Sequence, residues 1–201
     1  MILENKLGIT NPAELARMEE KISKQQAVKL FETGLLGTFE VGTFQGLAAI
    51  HKYLFEDIYE FAGKLRTVNI AKGSFRFVPL MYLEVSLQHI DSMPQTTFDE
   101  IIEKYVEMNV AHPFREGNGR STRIWLDMIL KKELQQVVDW SRVDKNDYLL
   151  AMERSPIKDI EIKVLLKSAL TDKINDRTVY MKGIDASYYY EGYNTFSAEM
   201  L

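Results

Sequence analysis

Residues 112–123 read HPFREGNGRSTR: one histidine, one acid, an asparagine between two glycines, and three arginines within twelve positions. Each type suits a part in chemistry on phosphate. Gly117 and Gly119 flank Asn118 directly before a helical run, and glycine permits backbone angles that aim successive N–H groups at one point. The following helix adds its unpaired first-turn N–H groups and the positive end of its dipole, which makes a place for an anion. Arg120 and Arg123 lie three apart and share one face of that first turn. Two guanidiniums beside an anion nest suit more than one phosphate. Glu116 stands amid this positive charge, and Mg²⁺ bridging its carboxylate to phosphate oxygens would give it a partner. His112 ends the preceding helix. Its unperturbed pKa lies near neutrality, so the neutral imidazole can take a proton from an attacking hydroxyl. Phe114 packs inward as the anchor of the loop.

Together these residues read as transfer of a phosphorus group from a nucleotide to a hydroxyl, with the protein positioning the reactants and stabilising charge. Two blander readings stand beside it: a helix–loop–helix turn with solvated charges, and a nucleotide-binding regulator without turnover. His112 favours turnover, because sensing phosphate needs no base beside the loop. The residues alone do not choose between attack at the α-phosphate, which moves AMP, and attack at the γ-phosphate, which moves phosphate.

The elements that must position this stretch are mostly helical by periodicity. Asn11-Pro12 reads as an N-cap with proline in the first turn, opening a helix that ends near Gly34. Phe44, Leu47, Ile50, Leu54 and Ile58 fall at helical spacing over 43–61. Residues 82–91 and 97–111 read as helices, the second opened by a Thr97–Glu100 capping box. Further helices are predicted over 118–133, 144–154 and 157–171. Residues 66–80 break the pattern, with β-prone runs at Thr67–Ile70 and Phe75–Val78 around Lys72-Gly73-Ser74, which predicts one short hairpin. The fold expected is mainly α, a compact helical bundle with that hairpin: a core over 1–171 and a tail over 172–201. In the tail TVYMKG (178–183) reads as extended, and a helix near 185–193 is capped by Asp185 and stopped by Gly192.

The totals set limits. The chain has 201 residues and a formal net charge of -4 from 25 basic and 29 acidic side chains, which disfavours nucleic-acid binding driven by phosphate neutralisation. It has no cysteine, so disulfides, thiolate metal sites and a cysteine nucleophile are excluded. No apolar run has the length of a membrane span, and MILENKLGITNPAEL lacks the pattern of a secretory leader, so a cytoplasmic location is expected. His51 and His89 have no metal-ligand spacing and read as structural or solvent-facing. Trp140 and Tyr148 read as core or as the wall of an adenine pocket.

HPFREGNGRSTR resembles the Fic signature HxFx[D/E]GNGRxxR at every defined position, and FAGKLR (61–66) with the hairpin extends the likeness over about residues 20–170 and into the tail. The resemblance implies a Fic-type helical bundle and transfer of AMP from ATP to a Ser, Thr or Tyr hydroxyl of a target protein. It implies His112 as general base and Glu116 as the Mg²⁺ ligand. Gly117, Asn118, Gly119 and Arg120 would bind the phosphates, and Arg123 the γ-phosphate. Lys72, Gly73, Ser74, Phe75, Arg76 and Phe77 would form a flap that docks the target by strand addition.

SYYYEG (187–192) is similar to the family's inhibitory pattern [S/T]xxxE[G/N], with Ser187 and Glu191 on one helical face. It implies that Glu191 competes with the γ-phosphate for Arg123, which is the arrangement of small bacterial Fic proteins with a C-terminal inhibitory helix. The alternative is an aromatic-rich closing helix. Tyr188 is a candidate for self-modification. By the same resemblance a type II topoisomerase subunit such as DNA gyrase is the first target expected, homo-oligomers are left open, and removal of AMP from a modified protein is the alternative reaction.

Overall fold

Asn11 accepts hydrogen bonds from the backbone N–H groups of Ala13 and Glu14, and Pro12 fills the first turn, so α1 (Pro12–Glu32) starts where its signals put it. The computed structural model describes residues 2–73 and 75–201. After α1 come α2 (Phe44–Phe55), β1 (Ala71–Lys72), β2 (Phe75–Arg76), α3 (Leu83–Ser92), α4 (Phe98–Ala111) and α5 (Asn118–Leu134). Then follow β3 (Val137–Val138), α6 (Lys145–Arg154), α7 (Ile160–Ser168), β4 (Leu170–Thr171) and α8 (Arg177–Tyr190). The mainly helical expectation holds, and the Thr97–Glu100 capping box opens α4 with both of its reciprocal bonds present. Among the described residues no helix is long and apolar enough to cross a membrane.

α5 is the axis of the bundle. It packs against α4, α2 and α8, and its Trp125, Leu126, Ile129 and Leu130 are fully buried. Truncating any one of them to alanine removes on the order of 2–5 kcal/mol of stability. α1 lies against both α2 and α8, so the first and last helices are neighbours.

Four elements differ from the sequence expectations. α2 ends at Phe55, and residues up to Gly63 continue in turns, in which the Phe55 carbonyl accepts from the Ile58 and Tyr59 N–H groups and Ile58 is still packed into the core. The hairpin is shorter and later than its β-prone runs: Ala71 pairs with Arg76 and Lys72 with Phe75. Thr67–Ile70 does not pair as a strand, because Arg66 takes the Val68 carbonyl and Asn69 caps Leu80. The seventh helix stops at Ser168, and residues 170–171 instead pair antiparallel with β3. The largest correction is in the tail, where TVYMKG is helical. α8 begins at Arg177 with Asp176 as its N-cap, while Asp185 lies mid-helix and binds the chain's last segment.

Candidate active site

The signature loop is built by its own neighbours. Asn118 turns its side chain back on the loop: its Oδ1 accepts from Phe114 N–H at 2.8 Å and its Nδ2 donates to Phe114 O at 2.8 Å. The side chain expected on phosphate is therefore committed to shaping the turn. Gly117 has φ +78°, and a Cβ there would come within 2.5 Å of the Phe55 ring, so both backbone and space demand glycine. Its carbonyl caps α5 by accepting from Ser121 N–H at 3.2 Å. The first-turn N–H groups of α5 have no acceptor within the helix and face the end where the dipole is positive.

Two residues outside the twelve-residue stretch hold the loop in place: His51, whose structural reading is the one the fold bears out over the solvent-facing one, and Arg66. His51 Nε2 donates to the Glu116 carbonyl at 2.8 Å while its Nδ1 accepts from Gly63 N–H at 2.9 Å, and its ring stacks on Phe114 at 3.8 Å. Arg66 staples three segments. Its Nε donates to His112 O at 2.8 Å, its Nη2 to Ala111 O at 3.2 Å and to Val78 O, and its own N–H to Pro113 O at 2.8 Å. It thereby satisfies the free carbonyls at the end of α4 and ties that end to the flap. Neither residue signals this in the sequence, because the partners are backbone atoms tens of residues away.

His112 sits in the left-handed region (φ 49°) as the C-cap of α4, and its ring stacks on Phe77 at 3.7 Å. A carbonyl can only accept, so the 3.3 Å contact with Asn109 O fixes a proton on Nδ1 and leaves the Nε2 lone pair as the base. Burial pushes the imidazole down to about 4, against the Asn109 carbonyl and the Glu191 charge, so it is neutral at physiological pH. Phe77 is buried; Lys72, Gly73 and Arg76 are exposed and Phe75 half-buried, while Ser74 lies outside the described residues.

Arg120 is fully buried and is held by protein. Its Nη1 donates to Glu19 at 2.6 Å and its Nη2 to Glu116 at 3.2 Å, with the rings of Phe55, Tyr188 and Tyr193 around it. Glu19, on α1, also accepts from Tyr59 and Tyr193. Burial raises its carboxyl, but Arg120 outweighs this and keeps it below the usual range. Glu116 is half exposed beside the nest, with Oε1 accepting from Gly117 N–H at 3.0 Å.

Arg123 meets the tail. Its Nε donates to Ser187 Oγ at 2.7 Å, its Nη1 to Tyr148 OH at 3.2 Å, and its Nη2 to Ser187 O at 2.9 Å and Glu191 Oε1 at 2.7 Å. Glu191 caps the end of α8, and a Cβ on Gly119 would lie 2.3 Å from its Oε1. The carboxylate thus rests on Gly119, over the first turn of α5. Burial works against its charge, but Arg123 wins and holds the carboxyl below the usual range. Tyr188 does not offer a hydroxyl for modification: it is buried and donates to Ser23 at 2.8 Å. Tyr189 is the exposed member of the trio. Trp140 and Tyr148 are core residues, packed edge to face at 5.7 Å.

Burial pushes His51 to about 3 and His112 to about 4, both from 6.5. The folded state therefore refuses protons that the unfolded chain accepts, and their contribution is complete above pH 6.5 and lost as pH falls towards 4. Asp127, raised by burial to about 7, works in the opposite sense over the same window. Two histidine slopes against one carboxyl leave a net loss of stability as pH falls through this window. The urea midpoint is expected to fall between pH 6.5 and 5.5; a midpoint that rises contradicts the burial of these histidines.

Residues 43–130 match the family described as Fic/DOC. The chain is 31% identical over 199 residues to the protein adenylyltransferase VbhT of Bartonella schoenbuchensis, a match covering 92% of this chain and 40% of that protein. The chain thus spans less than half of that relative's length. A probable protein adenylyltransferase of Sinorhizobium fredii is 29% identical over 166 residues, covering 77% of this chain and 83% of the other. The crystal structure of the BepC protein from Bartonella tribocorum, with bound AMPPNP, superposes with a TM-score of 0.68 at 19% identity, covering 85% of this chain and 93% of that one. The N-terminal Fic domain of an effector protein from Bartonella sp. AR 15-3 gives a TM-score of 0.70 at 19% identity, covering 84% and 87%.

Proposed function

Because this chain carries a Fic domain, we propose that it is a protein adenylyltransferase that moves AMP from ATP to a hydroxyl side chain of a target protein and restrains itself through Glu191. The observation that carries the reading is the Glu191 carboxylate bound to Arg123 beside Gly119, at the positive end of α5 and one loop away from a neutral histidine with a free Nε2 lone pair.

In this mechanism the target hydroxyl gives its proton to His112 Nε2 as its oxygen meets the α-phosphorus, and pyrophosphate leaves. Arg66 and the Phe77 ring keep the imidazole in place, and the first-turn N–H groups of α5 meet the charge on the phosphates. The residues fit Mg²⁺. Among the described residues no cluster of three ligating side chains exists to cage a metal, but this ion needs only one carboxylate with substrate phosphates, and Glu116 is half exposed beside the nest. Bound there, Mg²⁺ would neutralise phosphate charge. Arg120 acts at one remove, as the buried post between Glu19 and Glu116. The γ-phosphate and Glu191 compete for Arg123, so ATP enters productively only when that contact opens. The exposed hairpin offers a strand edge to the target.

The test compares ATP labelled at the α- and at the γ-phosphate, incubated with lysate and with purified DNA gyrase, using the Glu191→Gly variant. Protein labelled from the α position alone is expected. Label from the γ position, or none from either, overturns the reading.

A further inference from the structure

Behind the Arg123–Ser187 contact, on the side away from the loop, lies a cavity of about 340 Å³. That is within the size of small-molecule sites. α8 supplies one wall through a single stripe, Asp176, Val179, Tyr180, Gly183, Ile184 and Ser187, spaced as one helical face. The opposite wall is α5, with Ile124 and Met128, and Trp140 closes the floor. The helix that ends in Glu191 therefore has one face bound to α1, through Lys24–Asp185 at 3.0 Å and Tyr188–Ser23, and another that lines the cavity.

The polar groups around the cavity are sorted by depth. Inside, Asp127 has both oxygens satisfied, by Val138 N–H at 2.9 Å and Trp140 Nε1 at 2.8 Å. Burial there raises its carboxyl to about 7, so the interior disfavours a further charge. Asp176 is spent on capping α8. At the rim stand Lys131, Lys132 and Lys173, and the last two are exposed. Lys131 donates to the neutral Asn175 amide, and none of the three forms an ion pair among the described residues.

We propose that this cavity binds a small amphiphilic anion, its apolar body between α5 and α8 and its acid group at the lysine rim, as a medium-chain carboxylate or an aromatic sulfonate would sit. The wall formed by α8 exists only while that helix is seated, so the bound molecule favours the seat. Its consequence for transfer rests on the proposed role of Glu191: a molecule that holds α8 down deepens the restraint.

The test needs no nucleotide, so its failure is separate from failure of the transferase reading. The full chain is titrated with 8-anilinonaphthalene-1-sulfonate and then with decanoate as competitor, following dye emission and quenching of tryptophan. One saturable site displaced by decanoate is expected, with slower amide exchange over residues 177–190 when decanoate saturates it. Val179→Phe, which fills the space, and the rim pair Lys132→Glu with Lys173→Glu are each expected to weaken binding about tenfold or more. If Val179→Phe does not fold by circular dichroism, the rim pair decides alone. The absence of a saturable site overturns the proposal, as does affinity unchanged by the variants that fold or exchange unchanged by decanoate.

Discussion

Glu191→Gly is expected to raise AMP transfer from α-labelled ATP on the order of 10–100-fold over the wild type. The Glu191–Arg123 bond is charge-assisted and partly buried at 2.7 Å. Such bonds contribute roughly 1.5–3 kcal/mol, and each 1.36 kcal/mol is about a factor of ten. Glycine also clears the space above Gly119, where the carboxylate now lies. The Ser187 bonds to Arg123 remain in the variant, so the guanidinium keeps its position and only the competitor is removed. An isothermal titration should show tighter ATP binding alongside the faster labelling. Unchanged labelling together with unchanged affinity would remove Glu191 from any restraining role.

His112→Ala has the second large effect, and it is read in the Glu191→Gly background so that the cradle is open. A positioned general base contributes about 10²–10⁴-fold, and transfer is expected to fall by that factor. ATP affinity should stay close to that of the parent, because the imidazole faces the flap through Phe77 while the cradle is made by α5 and Arg123. This separation of rate from affinity distinguishes a base from a structural ring. Loss of both together would mean that His112 acts by holding the loop, as His51 does.

Within the twelve-residue stretch the glycine turn at Gly117 and the helix after it were legible because local spacing sets them, whereas Arg120, read as a phosphate ligand, is taken by Glu19 and Glu116. Helix starts with strong caps, at Asn11 and Thr97, were equally plain. What stayed hidden was set by distant partners. Glu19, Glu20 and Lys24 interrupt the apolar stripe of α1 and would pass for a solvated face, yet all three are buried against residues more than a hundred positions away. Arg66 and His51 act on backbone carbonyls and leave no pattern. The start of α8 was missed because Thr178 and Val179 argue locally for strand. The Asp176 cap and the packing of Tyr180 on Phe31 at 4.6 Å decide otherwise. The hairpin slipped because β-propensity could not foresee that Arg66 would capture Val68.

The Glu19–Arg120 pair also bears on how the molecule is made. Arg120 is enclosed by the rings of Tyr188 and Tyr193, and Glu19 is shared with the Tyr193 hydroxyl at 3.0 Å. Tyr193 leaves the ribosome after Glu191. A nascent chain therefore cannot finish the surroundings of its signature loop before the glutamate that sits on Gly119 has been synthesised.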